Sequence, residues 1–129
     1  MRLVIVRHAE AAPGSPDELR ALTPNGHAQA RQLGERLREV LGVPDAVLTS
    51  PLLRARETGA SLGLGEPEPN ELLGPGATPA DVLAAVEGRG ETVVVVAHQP
   101  DCGKIAAALG DGAEPPFPLA GMALVHLPS

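Results

Sequence analysis

Aromatic side chains are almost missing from this chain: Phe117 stands alone, with no Tyr and no Trp. A core without rings has to be filled by Leu, Val, Ala and Ile. Apolar residues still make up 43% of the 129 positions, which excludes a disordered chain. Cysteine is as scarce. Cys102 alone cannot close a disulfide within the chain, and this fits a reducing compartment. Long hydrophobic runs are absent too. The first, Leu3-Val4-Ile5-Val6, is far shorter than the roughly 7–15 residues of a signal-peptide core. No run approaches the roughly 20 residues of a membrane span. The expectation is a cytoplasmic protein with no membrane partner. Positive charge is also in short supply. Nine Arg and one Lys against 16 carboxylates give a net charge of −6, which argues against a nucleic-acid partner.

What is present is a punctuated alternation of apolar strands and helices. The 14 Pro and 15 Gly are scattered, so they mark turns and not low complexity. A strand over 2–7 is followed by the loop AEAAPGSPDELRAL. Thr23-Pro24, Ser50-Pro51 and Thr78-Pro79 each pair a capping hydroxyl with proline, and each is expected to open a helix. The first helix carries Ala30, Leu33, Leu37, Val40 and Leu41 at helical spacing and stops at Gly42. Strands are expected at 45–51, 92–100 and 122–127, a helix over 101–109, and a loop over 63–77. The length makes a single domain, residues 1–129, the expectation. This alternation implies an α/β three-layer sandwich, a mostly parallel sheet with helices on both faces. The all-apolar strands agree, because parallel strands are buried on both sides. The short connection before the last strand leaves an antiparallel edge pairing open to it.

Ligands of open parallel sheets bind at the carboxyl ends of the strands. Strand one ends there in Arg7-His8 and the late strand in Ala97-His98-Gln99-Pro100. The middle strand ends in Thr49-Ser50-Pro51, with Arg54 in the next helical turn. A cation in a first helical turn opposes the helix dipole, and an anion at that end offsets the conflict. Phosphate suits the fork of an arginine. The cluster therefore reads as an anion site. Taken singly, each residue has a bland explanation: a solvated strand end, a hydrogen-bonded histidine, a surface arginine. Their convergence on one sheet edge lowers the weight of those explanations.

In that order, RHAE, SPLLRARET and VAHQP resemble the histidine phosphatase superfamily, the phosphoglycerate mutase-like family. RALTPNG and the short chain resemble its small branch, the SixA-type phosphohistidine phosphatases. The resemblance implies that His8 is the nucleophile and that Arg7, Arg54 and His98 bind the phosphoryl oxygens. It implies a pocket-lining role for Arg20. It also implies a phosphorylated substrate, with a phosphohistidine-bearing protein the leading choice, and no cofactor or metal. The members that carry a general acid place a Glu or Asp in a mid-chain insertion. Glu71 is the nearest match here, with Glu10 beside the nucleophile as the other candidate, and a solvated carboxylate is the ordinary reading of Glu71.

The chemistry is coherent on its own terms. Phosphoryl transfer needs positioning and charge stabilisation. An imidazole attacks only through an unprotonated nitrogen, so Arg7, Arg54 and a charged His98 are expected to hold His8 neutral. Its other nitrogen needs an acceptor such as a backbone carbonyl. Cys102 lacks the arginine six positions on that a cysteine phosphatase needs, since Ala108 stands there. His27 and His126 fit no metal spacing, and Lys104 reads as solvated. Two other readings stay open: a phosphatase of a small phosphorylated metabolite, and a non-catalytic phosphate- or phosphoprotein-binding module.

Overall fold

A computed structural model describes residues 1–128, and its elements follow the expected alternation. Strand β1 is Arg2–Arg7, α1 Pro24–Leu41, β2 Ala46–Thr49, α2 Leu53–Ser61 and β3 Pro67–Pro69. Then come α3 Pro79–Val86, β4 Thr92–Ala97, α4 Asp101–Leu109 and β5 Met122–His126. Short 3-10 turns lie at Asp17–Leu19 and Glu71–Leu73. The sheet order is β3-β2-β4-β1-β5. All neighbours run parallel except β5, which pairs antiparallel with β1 from Arg2↔His126 to Val6↔Met122. The edge pairing left open by the sequence is thus antiparallel.

The period of two along each strand divides the core. Leu3 and Ile5 of β1 and Val93 and Val95 of β4 pack with Val82, Val86, Cys102 and Ile105 of α3 and α4. Val4, Val6, Val94 and Val96 pack with Leu33 and Leu37 of α1 and Ala55 of α2 on the opposite face. Both faces of β1 and β4 are buried, as central parallel strands require. Helices α1 and α2 approach very closely. A Cβ at Gly34 would collide with the carbonyl of Leu62, so only glycine fits there.

Two of the three cap-plus-proline signals work as expected. The Thr23 hydroxyl accepts from the Gly26 N–H at 2.9 Å, and Thr78 forms a capping box with Asp81. The third does not. Helix α2 starts at Leu53 with Leu52 as its N-cap and no side-chain cap, because the Ser50 hydroxyl is committed elsewhere. The loop expected over 63–77 also holds β3, which pairs with β2 from Val47↔Pro67 to Thr49↔Pro69. Its two prolines conceal it from pattern reading. They are tolerated because β3 is an edge strand and need not donate on its outer side. Strand β4 is shorter than expected: the chain leaves the sheet after Ala97 and turns through 98–100 into α4. No described helix is long and apolar enough to cross a membrane.

Candidate active site

The carboxyl ends of β1, β2 and β4 bring His8, Ser50 and His98 together. Main-chain bonds fix the level of His8 and Ser50. The N–H of His8 donates to the Ala97 carbonyl at 3.1 Å, and the N–H of Ser50 donates to Val96 at 2.9 Å. The rings of His8 and His98 lie 5.4 Å apart between centroids, tilted by 57°. Nδ1 of His8 is 2.8 Å from the carbonyl oxygen of Ala9. A carbonyl only accepts, so Nδ1 carries a proton, and in the neutral ring Nε2 then keeps its lone pair. The backbone acceptor expected from the sequence is the next residue's own carbonyl.

The arginines frame this pair. Arg7 donates through Nη1 to the carbonyl of Phe117 at 3.0 Å. Arg54 is buried, at 7% exposure, and its two terminal nitrogens are engaged by one residue. Nη1 donates to the Asp17 carbonyl at 2.9 Å and Nη2 to the Asp17 carboxylate at 3.1 Å. The other Asp17 oxygen meets Nη1 of Arg20 at 3.2 Å, while Nε of Arg20 donates to Ala12 at 2.9 Å. Asp17 thus ties Arg20 and Arg54 together, and these two arginines hold its carboxyl below the ordinary range. A fork of Arg54 wholly free for phosphate is not what the fold presents. Its end-on edge holds Asp17, and the Nε edge remains.

Three buried nitrogens in this cluster have no hydrogen-bond partner among the described residues: Nε of Arg7, Nε of Arg54 and Nδ1 of His98. Leaving a buried donor unpaired costs about 1–3 kcal/mol, more for a charged group. All three sit on the residues singled out for phosphoryl binding. Two are fixed cationic donors.

Burial is the main cause holding His8 below the ordinary imidazole value; Arg54, Arg7 and Arg20 add to it, and the bond to Ala9 opposes it. His98 is pushed down to about 4, chiefly by burial, with His8 and Arg54 adding to the effect and Asp17 opposing it. The expected charged His98 is therefore corrected: desolvation by burial keeps this ring neutral near pH 7.

Three residues of the cluster escaped sequence reading as site residues. Asp17 lay in a loop with no pattern. Ser50 read as a helix cap. Thr58 carries a hydroxyl that donates to the Arg54 carbonyl at 2.7 Å and accepts the N–H of Ala9 at 3.0 Å. It links the helix of Arg54 to the segment that holds His8, and it is fully buried. The signal lay within SPLLRARET, where Thr58 follows Arg54 by one helical turn.

The remaining candidates lie apart from this network. Glu71 sits in a 3-10 turn, exposed and with no side-chain hydrogen bond among the described residues. Glu10 accepts from Asn25 at 2.5 Å. Cys102 is buried, its thiol pushed up to about 12 chiefly by desolvation, so no thiolate forms. Nδ1 of His27 pairs with the Ser61 hydroxyl at 2.7 Å, and the ring is half-buried, more than a surface position would give. His126 and Lys104 are exposed.

The family model for the histidine phosphatase superfamily (branch 1) matches residues 3–73, the stretch that supplies His8, Arg7, Arg20 and Arg54. The chain belongs to this superfamily. It is accordingly a phosphatase, a hydrolase of SixA-like type. Phosphohistidine phosphatase SixA of Escherichia coli is 35% identical over 128 residues, covering 91% of this chain and 79% of that protein. An uncharacterised protein of Mycobacterium tuberculosis is 32% identical over 137 residues, covering 95% and 87%. The structure of the protein histidine phosphatase SixA complexed with tungstate superposes with a TM-score of 0.87 at 30% identity, over 98% of this chain and 88% of that one. The putative phosphohistidine phosphatase SixA of Nakamurella multipartitia gives 0.82 at 30% identity, over 95% and 82%.

Proposed function

We propose that this chain is a metal-independent phosphatase that works through a phosphohistidine intermediate on His8 and acts on protein phosphohistidine. The observation that carries the reading is the grouping of three unpartnered buried nitrogens, on Arg7, Arg54 and His98, around a neutral imidazole whose Nε2 is free. In the first step the Nε2 lone pair of His8 attacks phosphorus. The bond from phosphorus to the leaving nitrogen of the substrate imidazole breaks, and that nitrogen ends protonated by solvent. In the second step water attacks the phosphorylated His8, releasing inorganic phosphate and returning Nε2 to its lone-pair state. Arg7 and Arg54 neutralise the equatorial oxygens throughout, the part that a metal ion plays in other phosphoryl-transfer sites. Arg20, tied to Arg54 through Asp17, lines the approach.

The choice of phosphohistidine follows from the acid. An alkyl ester needs a proton on its leaving oxygen, whereas a phosphoramidate nitrogen is basic enough to take one from water. Glu71 and Glu10 make no side-chain hydrogen bond to His8, and Asp17, the carboxylate in the cluster, is held ionised by Arg20 and Arg54, so none of the three is a protonated carboxyl set against the nucleophile. This supports a substrate that needs none. The experiment is a hydrolysis comparison between a phosphohistidine protein and a panel of phosphate monoesters, with acid-labile phosphate trapped on His8. Phosphohistidine should be the faster substrate, Glu71→Gln should leave that rate unchanged, and His8→Ala should abolish turnover. A preference for monoesters would turn the reading toward small phosphorylated metabolites. Phosphate binding without turnover or trapping would turn it toward a binding module.

A further inference from the structure

Ser50 is fully buried at the end of β2, and its main chain is pinned by the bond to Val96. Its hydroxyl oxygen has two polar neighbours. It accepts the N–H of Leu52 at 3.2 Å and lies 2.8 Å from Nε2 of His98. The Leu52 contact fixes one role, because an N–H only donates. The hydroxyl hydrogen then needs an acceptor. If Nε2 of His98 carried a proton, Ser50 would receive two donors, and its own buried hydrogen would be left with no acceptor. If Nε2 carries a lone pair, every polar atom of Ser50 is satisfied. The same choice settles the far side of the ring. Nδ1 of His98 has no partner among the described residues, as is also true of Nε of Arg7 and Nε of Arg54. With a proton, Nδ1 is a third donor for an anion. Without one, it is a lone pair set against that anion.

We propose that Ser50 is a positioning residue: its hydroxyl donates to Nε2 of His98 and fixes the neutral tautomer that offers Nδ1–H to the phosphoryl group. The proposal rests on the reading of this cluster as a phosphoryl site. It gives the two imidazoles one tautomer and opposite duties. His8 holds its Nδ1–H against Ala9 and presents a lone pair. His98 holds its Nε2 lone pair against Ser50 and presents a proton. The burial that keeps His98 neutral acts in the same direction. Ser50 therefore serves as the orienting partner of a histidine and not as the helix cap its Ser-Pro context implies.

The test is the 15N spectrum of the histidines in the free protein at pH 7, with His98 assigned by the signal lost in His98→Asn. His98 should show the Nδ1–H form. Ser50→Ala should move it toward a mixture and weaken competitive inhibition by inorganic phosphate about 5–30-fold, the span of one hydrogen bond. Ser50→Thr, which keeps the hydroxyl, should restore both. An Nε2–H form in the unsubstituted protein overturns the proposal, and that spectrum decides even if Ser50→Ala does not fold. An unchanged tautomer and unchanged phosphate inhibition in a folded Ser50→Ala overturn it as well. The outcomes separate from those of the functional reading. A protein that hydrolyses no phosphohistidine yet shows the Ser50-dependent tautomer keeps this assignment and loses that function.

Discussion

At the scale of single residues, Thr58 and Asp17 tie the parts of the site together. Thr58 grips the N–H of Ala9, and the carbonyl of the same residue orients His8. Thr58→Val keeps the shape but leaves that N–H unpaired. It should lower kcat about 10–100-fold, the cost of a small misplacement of a reacting group. Phosphate inhibition should change little, and Thr58→Ser should recover the rate. Steady-state kinetics with a phosphate inhibition series would show this; equal losses in kcat and phosphate affinity would count against a role specific to His8. Asp17 acts through charge as well as position. Asp17→Asn removes a carboxylate that opposes an incoming anion and loosens Arg54. Inorganic phosphate should bind more tightly by a few-fold while kcat falls. A weakened phosphate affinity would show instead that Asp17 serves only to shape the arginine.

At the scale of elements, the site depends on how α2 seats against α1. Gly34 of α1 lies against the Leu62 carbonyl just past α2, and α2 carries Arg54 and Thr58. Gly34→Ala forces the two helices apart. It should destabilise the fold by about 1–3 kcal/mol, the usual range for overpacking, and lower the melting temperature in a thermal scan. Activity should fall alongside, because Arg54 and Thr58 move with their helix. An alanine accommodated at no cost in either quantity would mean that this contact does not set the position of α2.

At the scale of the whole molecule, the pH dependence follows from the neutral imidazoles and the metal prediction from the arginines. The folded value of His8 lies below that of a free imidazole, so the proposed nucleophile keeps its lone pair to lower pH than an ordinary histidine would. The acid limb of kcat/KM, which reports the free enzyme, should lie below that of an ordinary histidine. Stability has the same sign. Between about 4 and 6.5 the unfolded chain binds a proton on His98 that the folded chain refuses. The stability from this residue is complete above about 6.5 and is lost as the pH falls through about 4. A melting-temperature series should decline over that window, and His98→Asn should flatten the decline. Activity should survive EDTA, since arginines supply the charge neutralisation. Loss in chelator with recovery on adding a divalent ion would remove the metal-independent mechanism.

Much of this was legible in the chain because it is written locally. Thr23-Pro24 and Thr78-Pro79 open helices through bonds to residues three positions on, and the apolar runs of β1 and β4 need only their own composition to be read as buried strands. The convergence of Arg7, His8, Arg54 and His98 followed from strand ends sharing one edge of a parallel sheet. What the sequence could not fix were choices among partners distant along the chain. Ser50 could cap α2 or bond His98, 48 positions away, and the burial of the imidazole decided for the second. Arg54 could offer its fork to phosphate or to Asp17, 37 positions back, and the placement of the 3-10 turn gave it to Asp17. Strand β3, rich in proline, exists because the open edge of β2 supplies the hydrogen bonds that its own sequence does not advertise. Local spacing determined the elements and the residues that carry the chemistry. Desolvation and long-range hydrogen bonding decided their protonation, their orientation and their partners, because those energies depend on neighbours that only the folded chain brings together.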